Sequence, residues 1–389
     1  RLNACLRSSL PSVFRFMHTG KRCALFLLAA LCTSPLRATE WKVIHINNRD
    51  YVTFANLAEF YRFGEYSHAN RTISLRSEQR GIRAQAGTSE IYINGVRFFT
   101  HFPLLERAEG QFVSAFDVGK LIEPVLRPSR IQKAEPVETV ILDPGHGGTD
   151  QGTANKWGSE KNYALEVALT AREKLLRAGF KVEMTRSDDT ARSLEERIAF
   201  ANKFKNAVFV SIHFNAGSGI GVESYALAPE GAPSNAAASG EHHSSEQGAM
   251  KNEGNAQDSQ NIALAAAVHA AVLSGLSAYD RGIRHARFKV LRHIRLPSVL
   301  IEGGFLDDRE EGTRIASAQY RQKLGAAIAQ GVQSYNAAVN YRSEKPATFT
   351  VARANLPPHT HSISEPLEDL PPAPAPTPPE PSVSINGGE

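Results

Sequence analysis

From Trp41 to about Arg127 apolar and polar residues alternate with a period of two, as in Lys42-Val43-Ile44-His45-Ile46, Thr72-Ile73-Ser74-Leu75 and Glu90-Ile91-Tyr92-Ile93. That period places one face of each segment against a core and predicts short strands. Asn47-Asn48, Asn70 and Asn94-Gly95 punctuate them, the last a strong hairpin signal. Helical runs near Phe54 to Tyr61 and Ser114 to Leu121 interrupt the strands. The pattern predicts a small, mostly β accessory domain over 40–127. A polar linker, 128–136, follows.

From Val137 the period changes. Strand Val137–Leu142 precedes a helix from Glu160 to Ala178, which Gly179 ends. Strand Phe180–Thr185 leads to a helix opening at Ser193, with Glu196 three residues on as a capping box. Strands Ala207–Ile212 and Val222–Leu227, a helix Asn261–Leu273, short strands Phe288–Leu291 and Ser298–Ile301, and a helix from about Ala318 to Val339 complete the series. Strands alternating with helices predict an α/β domain over 137–340, a mostly parallel sheet with helices on both faces. Residues 229–260, rich in Gly, Ala, Ser and Asn, form a predicted mobile insertion. Residues 341–389 lack apolar periodicity and contain Pro371-Pro372-Ala373-Pro374, the mark of an extended disordered tail.

Composition narrows the compartment and the chemistry. The 389 residues suffice for two modest domains plus tails, and a net charge of +4 makes no case for nucleic-acid binding. Residues 1–39 resemble upstream residues and a signal peptide: Met17 as initiator, Lys21 and Arg22 as the charged region, Ala24 to Leu31 as the apolar core, Ala38 before the cut. The apolar run is too short for a permanent span. Bulky Leu31 before Cys32 argues against lipid attachment. The mature chain is expected to be exported, in the periplasm or cell envelope, and not an integral membrane protein. Cys5, Cys23 and Cys32 all precede residue 40, so a mature metal site must use nitrogen and oxygen donors.

Such a set is present. Asp143-Pro144-Gly145-His146-Gly147-Gly148 ends the strand 137–142, Glu160 opens a helix, and His213 ends the strand 207–212. Strand ends at the carboxyl edge of a sheet are where α/β proteins place their chemistry. Two histidines and a carboxylate there suit Zn²⁺ with an open fourth position. Asp143 is expected to orient His146 or to stabilise the turn, and Asn215 to bond substrate or its own loop. His285 is expected to line the groove or to sit in a solvated loop. Arg186 and Arg197 are expected to pair with carboxylates on the helix–sheet surface. His242 and His243, in the insertion, have no ordered scaffold for a metal.

These blocks, with Ser159-Glu160-Lys161, Ser211-Ile212-His213-Phe214-Asn215-Ala216 and Val299-Leu300-Ile301-Glu302-Gly303-Gly304-Phe305-Leu306, occur in the order found in zinc-dependent N-acetylmuramoyl-L-alanine amidases, which the region Val137–Ala338 resembles. The resemblance implies that His146, Glu160 and His213 bind zinc and that Glu302 is the catalytic carboxylate, cleaving the amide between N-acetylmuramic acid and L-alanine in peptidoglycan. The end of an apolar strand and the Gly303-Gly304 flank independently favour Glu302 as the group that moves the proton. Phe214 and Gly303 depart from the family's usual residues and could reshape the groove. A zinc peptidase or deacetylase on another cell-wall amide, or a non-catalytic peptidoglycan-binding protein, is the alternative. The region 40–127 is loosely similar to the small N-terminal domain of copper amine oxidases. Some amidases carry an inserted helix that blocks the zinc until a partner removes it. Here Gly231, Pro233, Gly240, Gly248 and Gly254 break the insertion. Only Glu241 to Glu253 could make a brief helix, with Met250 as its main apolar residue. The insertion is expected to shade the groove without plugging it, and an activator protein is not expected to be required.

Overall fold

A computed structural model describes residues 41–217, 219–236 and 250–341. The expected signal peptide, the centre of the insertion with His242 and His243, and the tail after Tyr341 lie outside them. The first region contains β1 (Val43–Ile46), β2 (Arg49–Thr53), α1 (Phe54–Phe60), β3 (Glu65–Ala69), β4 (Thr72–Arg76), β5 (Gly81–Gln85), β6 (Glu90–Ile93), β7 (Val96–Phe99), β8 (Leu105–Arg107), β9 (Gly110–Ser114), α2 (Ala115–Asp117) and α3 (Glu123–Leu126). Asn94 and Gly95 take left-handed φ values of 53° and 86°, which joins β6 to β7 in a two-residue hairpin. Thr53 and Ser114 cap α1 and α2 by accepting from Asn56 N and Asp117 N.

The second region contains β10 (Thr139–Pro144), β11 (Ala154–Asn155), β12 (Gly158–Ser159), α4 (Glu160–Arg177), β13 (Lys181–Met184), α5 (Leu194–Ala201), β14 (Ala207–Asn215), β15 (Val222–Leu227), α6 (Asp258–Leu276), β16 (Asp280–Ala286), α7 (Lys289–His293), β17 (Ser298–Phe305), α8 (Arg309–Ile315) and α9 (Ala318–Asn340). An 11-stranded sheet runs β13-β10-β14-β17-β15-β16-β7-β6-β5-β4-β3. The strands β13, β10, β14 and β17 are parallel, as expected. The sheet as a whole is mixed, because β15 runs antiparallel to β17 and β3 to β7 form an antiparallel meander. The link from Asn215 to Val222 is too short for a parallel crossover, which needs a dozen or more residues.

The pair Ile283↔Phe98 joins the two regions into this sheet. One core follows it, from Phe54, Leu57, Ile82, Ile91 and Phe98 through Ile283 to Val210 and Ile212. On that face α4, α6 and α9 pack against the parallel strands; α6 is apolar on nearly every side and is buried accordingly. A second cluster, with Ile141, Phe209, Tyr225 and Leu300, is covered by α5 and α7.

The expected strand Phe288–Leu291 is instead α7, and the strand in this part of the chain is β16. Adjacent Val290 and Leu291 both enter the second cluster. Consecutive strand residues would point to opposite faces, whereas one helical turn can bury both.

Candidate metal centre and active site

The chain leaves β10 through a turn that only close packing can hold. His146 has φ 59°, a conformation uncommon for a side chain larger than glycine. Arg186 donates to Pro144 O at 3.0 Å, and to Gly145 O and Lys161 O at 2.7 Å. Arg197 donates to Asp143 Oδ1 at 2.6 Å and to Pro144 O and His146 O at 2.7 Å. Each arginine is only 3% exposed. The expected surface pairing is therefore corrected: both guanidiniums are buried under the turn, and those of Arg186 bond backbone carbonyls rather than a carboxylate. Gly145 is required, since a Cβ there would lie 2.3 Å from the His213 ring.

Glu160, the first residue of α4, reaches back into this turn. Its Oε1 lies 3.1 Å from His146 Nε2 and 2.9 Å from His213 Nδ1, and accepts from Phe214 N at 3.0 Å. Its Oε2 accepts from Thr153 N at 2.9 Å. Burial alone would raise its pKa, but the hydrogen bonds to His146 and His213 outweigh it and hold the carboxyl far below the usual range. For His146 burial opposes the charge, yet Glu160 and Asp150 win and raise its pKa. One ligand atom from each of His146, Glu160 and His213 lies within 4.8 Å of the others, a group that could hold a metal ion. The all-nitrogen-and-oxygen donor set fits a divalent cation of intermediate softness.

Glu302 lies beside this group on β17, its Cα paired with that of His213 on one side and of Glu223 on the other. Its Oε2 is enclosed without a hydrogen-bond partner. Burial, then the charges of Glu160 and Glu223, push its pKa well above the ordinary carboxylate value.

Other candidates take different places. Asn215 donates to Glu223 Oε1 at 2.8 Å, so it fixes a carboxylate next to the centre. Asp143 accepts from Thr185 Oγ1, Arg197 and Ser211 Oγ, which ties three strand ends together; His146 is instead oriented by Asp150, 2.8 Å from Nδ1. His285 neither lines the groove nor is solvated. It is 1% exposed, and its ring lies 4.2 Å from that of His101. Strand alternation explains the correction, because Arg284 shares the Glu223 and Tyr225 face and its neighbour points to the other. Burial, His101 and Arg287 push the His285 pKa well below its ordinary value.

Sequence reasoning missed Asp150, Glu223 and the turn-holding role of the two arginines. Only Asp150 left a local signal, four residues after His146. Glu223 accepts from Asn215, from Tyr225 Oη at 2.9 Å and from Arg281 Nε at 3.3 Å, a network assembled from three separate segments.

Residues 140–334, half of the chain, match the family model described as N-acetylmuramoyl-L-alanine amidase. The uncharacterized protein YqiI of Bacillus subtilis (strain 168) is 33% identical over 208 residues, covering 52% of this chain and 88% of that protein. The N-acetylmuramoyl-L-alanine amidase CwlM of Bacillus licheniformis is 30% identical, covering 56% of this chain and 78% of that protein. The N-acetylmuramoyl-L-alanine amidase AmiA of Escherichia coli (strain K12) is 31% identical, covering 53% and 78%.

Proposed function

The chain belongs to the N-acetylmuramoyl-L-alanine amidase family, and from that premise we propose that His146, Glu160 and His213 hold its metal, that the metal is zinc, and that Glu302 is the catalytic carboxylate. The enzyme hydrolyses the amide that joins N-acetylmuramic acid to L-alanine in peptidoglycan. That substrate lies outside the cytoplasm, so the protein is exported; we assign it to the periplasm or cell envelope. Residues 137–340 are the catalytic domain in this reading and 40–127 the accessory one.

A bound Zn²⁺ would supply a Lewis acid for the scissile carbonyl and acidify a water. The chain supplies the rest. Glu160 contributes a carboxylate that stays ionised, and Asp150 fixes the His146 ring by accepting at Nδ1. Glu302 takes a proton from the attacking water and delivers it to the departing amide nitrogen, so that the peptide leaves with a free amine. A carboxyl with a raised pKa can both accept and return a proton near neutrality. The observation that carries the reading is the enclosed, unpartnered Oε2 of Glu302 on the strand beside three clustered donors.

The test is metal content and amidase activity on sacculi, for wild type and Glu302→Gln. Wild-type protein should contain zinc and release stem peptides with a new L-alanine amine. Cleavage within the peptide, or binding without release, would overturn the assignment.

A further inference from the structure

The sheet does not stop at the catalytic strand. Glu302 on β17 shares a face with Glu223 on β15 and Arg284 on β16. On the strands beyond, Arg97 and Phe99 of β7, Tyr92 of β6 and Arg83 of β5 continue that face, because Arg83↔Tyr92 and Tyr92↔Arg97 are register pairs. The opposite face carries Ile82, Ile91, Phe98 and Ile283 in the core. The cluster under α5 and α7 reaches from β10 across β14 and β17 to Tyr225 and Leu227 of β15. Asn235 lies across the next strands, accepting from the Arg284 guanidinium at 3.3 Å and donating to Phe99 O at 3.1 Å. Among the described residues farther out the row is partly exposed, with the side chains of Arg97, Arg281 and Arg284 exposed by 22%, 30% and 25% and Arg83 at the surface.

The exposed row alternates guanidiniums with rings. Arg83 lies 4.5 Å over Tyr92, Arg97 5.0 Å and Arg284 3.9 Å from the Phe99 ring, and Arg281 4.6 Å over Phe305. Four arginines here have three carboxylate neighbours, Glu90 and Glu223 in ion pairs and Asp280, which accepts from Arg97 N at 2.9 Å, and this leaves the row cationic. Flat rings suit sugar faces, and guanidiniums suit carboxylates.

Five strand spacings of ~4.8 Å separate β17 from β5, so the row extends roughly 24 Å from the catalytic carboxylate. A fully extended five-residue peptide reaches about 17 Å. The row is therefore longer than one stem peptide, and on a polymeric substrate its far end would meet a neighbouring unit of the same polymer.

We propose that this sheet face is a docking track for the peptidoglycan strand, holding the carboxylate-bearing stem peptides next to the one being cleaved. The inference rests on the amidase reading. It makes Arg83 and Tyr92 determinants of preference for polymer over single units, and it gives the first region a role in substrate choice through the sheet it shares with the catalytic strands.

The experiment compares kcat/KM on purified glycan strands with that on a single disaccharide-peptide, for wild type, Arg83→Glu and Arg83→Glu/Tyr92→Ala. Arg172→Glu, exposed on α4 beyond the other face, controls for net charge. The polymer-to-monomer ratio should fall about tenfold in the double variant, chiefly through KM, since one charge-assisted hydrogen bond is worth that much. It should hold in Arg172→Glu. An unchanged ratio overturns the track, as does an equal loss on both substrates, which would report damage to the site. Loss of binding to anionic phospholipid vesicles with the ratio unchanged would also overturn it, in favour of a membrane. If wild type cleaves neither substrate, the amidase reading itself has failed.

Discussion

Glu302 stands directly across from Glu223 where β17 and β15 pair antiparallel. Glu223 accepts from Asn215, Tyr225 and Arg281, whereas Glu302 Oε2 has no partner. Two carboxylates at one spot thus receive opposite treatment, one bound into the wall and one with an unpartnered oxygen, which suits the catalytic role proposed for it. Glu302→Gln is nearly isosteric and removes only the ability to carry a proton back and forth. It should keep its fold and metal and lose at least ~10²-fold in kcat, the usual scale for a positioned acid–base group. Metal analysis with steady-state rates checks this; a metal-free variant would make Glu302 a ligand and force the roles of Glu160 and Glu302 to be redrawn.

The three proposed ligands should be separable from the residue that orients one of them. His146→Ala and His213→Ala each remove a donor and should abolish activity and zinc retention. Asp150→Ala removes only the hydrogen bond to His146 Nδ1 and should weaken metal affinity by about 10–100-fold while leaving activity recoverable with added zinc. Titration against a competing chelator ranks the three. Equal, full occupancy in all of them would refute the metal assignment.

Arg197 sets the shape of the turn. Its side chain meets Asp143 with both groups buried and donates to two carbonyls of the turn, Pro144 O, which it shares with Arg186, and His146 O. Arg197→Ala leaves a buried carboxylate without its charge partner, a change that typically costs about 3–5 kcal/mol. Arg197→Lys should recover little, since an ammonium cannot reproduce the planar fork. Urea unfolding measures the loss. A variant within about 1 kcal/mol of wild type would show that the turn is held by other contacts.

The three proposed ligands could be picked out in the sequence, and the fold brings them together, because each lies in a short block at a strand end or helix start, where local pattern determines position. The supporting residues were not. A buried arginine such as Arg186 reads in sequence like any surface arginine, because its partners Pro144, Gly145 and Lys161 approach only in the folded chain. His285 was misjudged for a related reason: its neighbours Arg281 and Arg284 are polar, which disguised β16 as a loop. The continuation of the sheet into the first region rests on Ile283↔Phe98, a pairing of residues far apart in sequence that no local periodicity encodes.

The buried histidine has a consequence for pH. His285 has neither ring nitrogen hydrogen-bonded, and burial, His101 and Arg287 depress its pKa. The unfolded chain takes up a proton as pH falls through the ordinary value of 6.5 while the folded protein does not. Stability is thus greatest above that value and is lost as pH falls toward the folded pKa, with a slope of about 1.4 kcal/mol per pH unit for one proton. His285→Leu should flatten the decline between pH 7 and pH 5 by up to that slope. Parallel curves for the two proteins would show that His285 is protonated without penalty.

The insertion tests whether the enzyme restrains itself. Residues 229–236 leave β15 and turn back, so that Asn235 pairs with His285 and Ala236 packs on the Tyr225 cluster, the face that carries Glu302. On the return, Asn255 donates to Ala228 O, and Met250, the main apolar residue expected to dock a blocking helix, is 64% exposed. Both ends are therefore anchored by described residues on either side, so the exchange can be confined to residues 237–249. Replacing those thirteen residues by a six-residue Gly-Ser linker changes loop-closure entropy by only about 0.7 kcal/mol, so a stability change cannot mask the readout. The purified enzyme should be active without a partner, and the exchange should leave kcat within about twofold, a difference under about 0.5 kcal/mol. A large rise in kcat on sacculi would identify 237–249 as an inhibitor and reinstate the need for an activator.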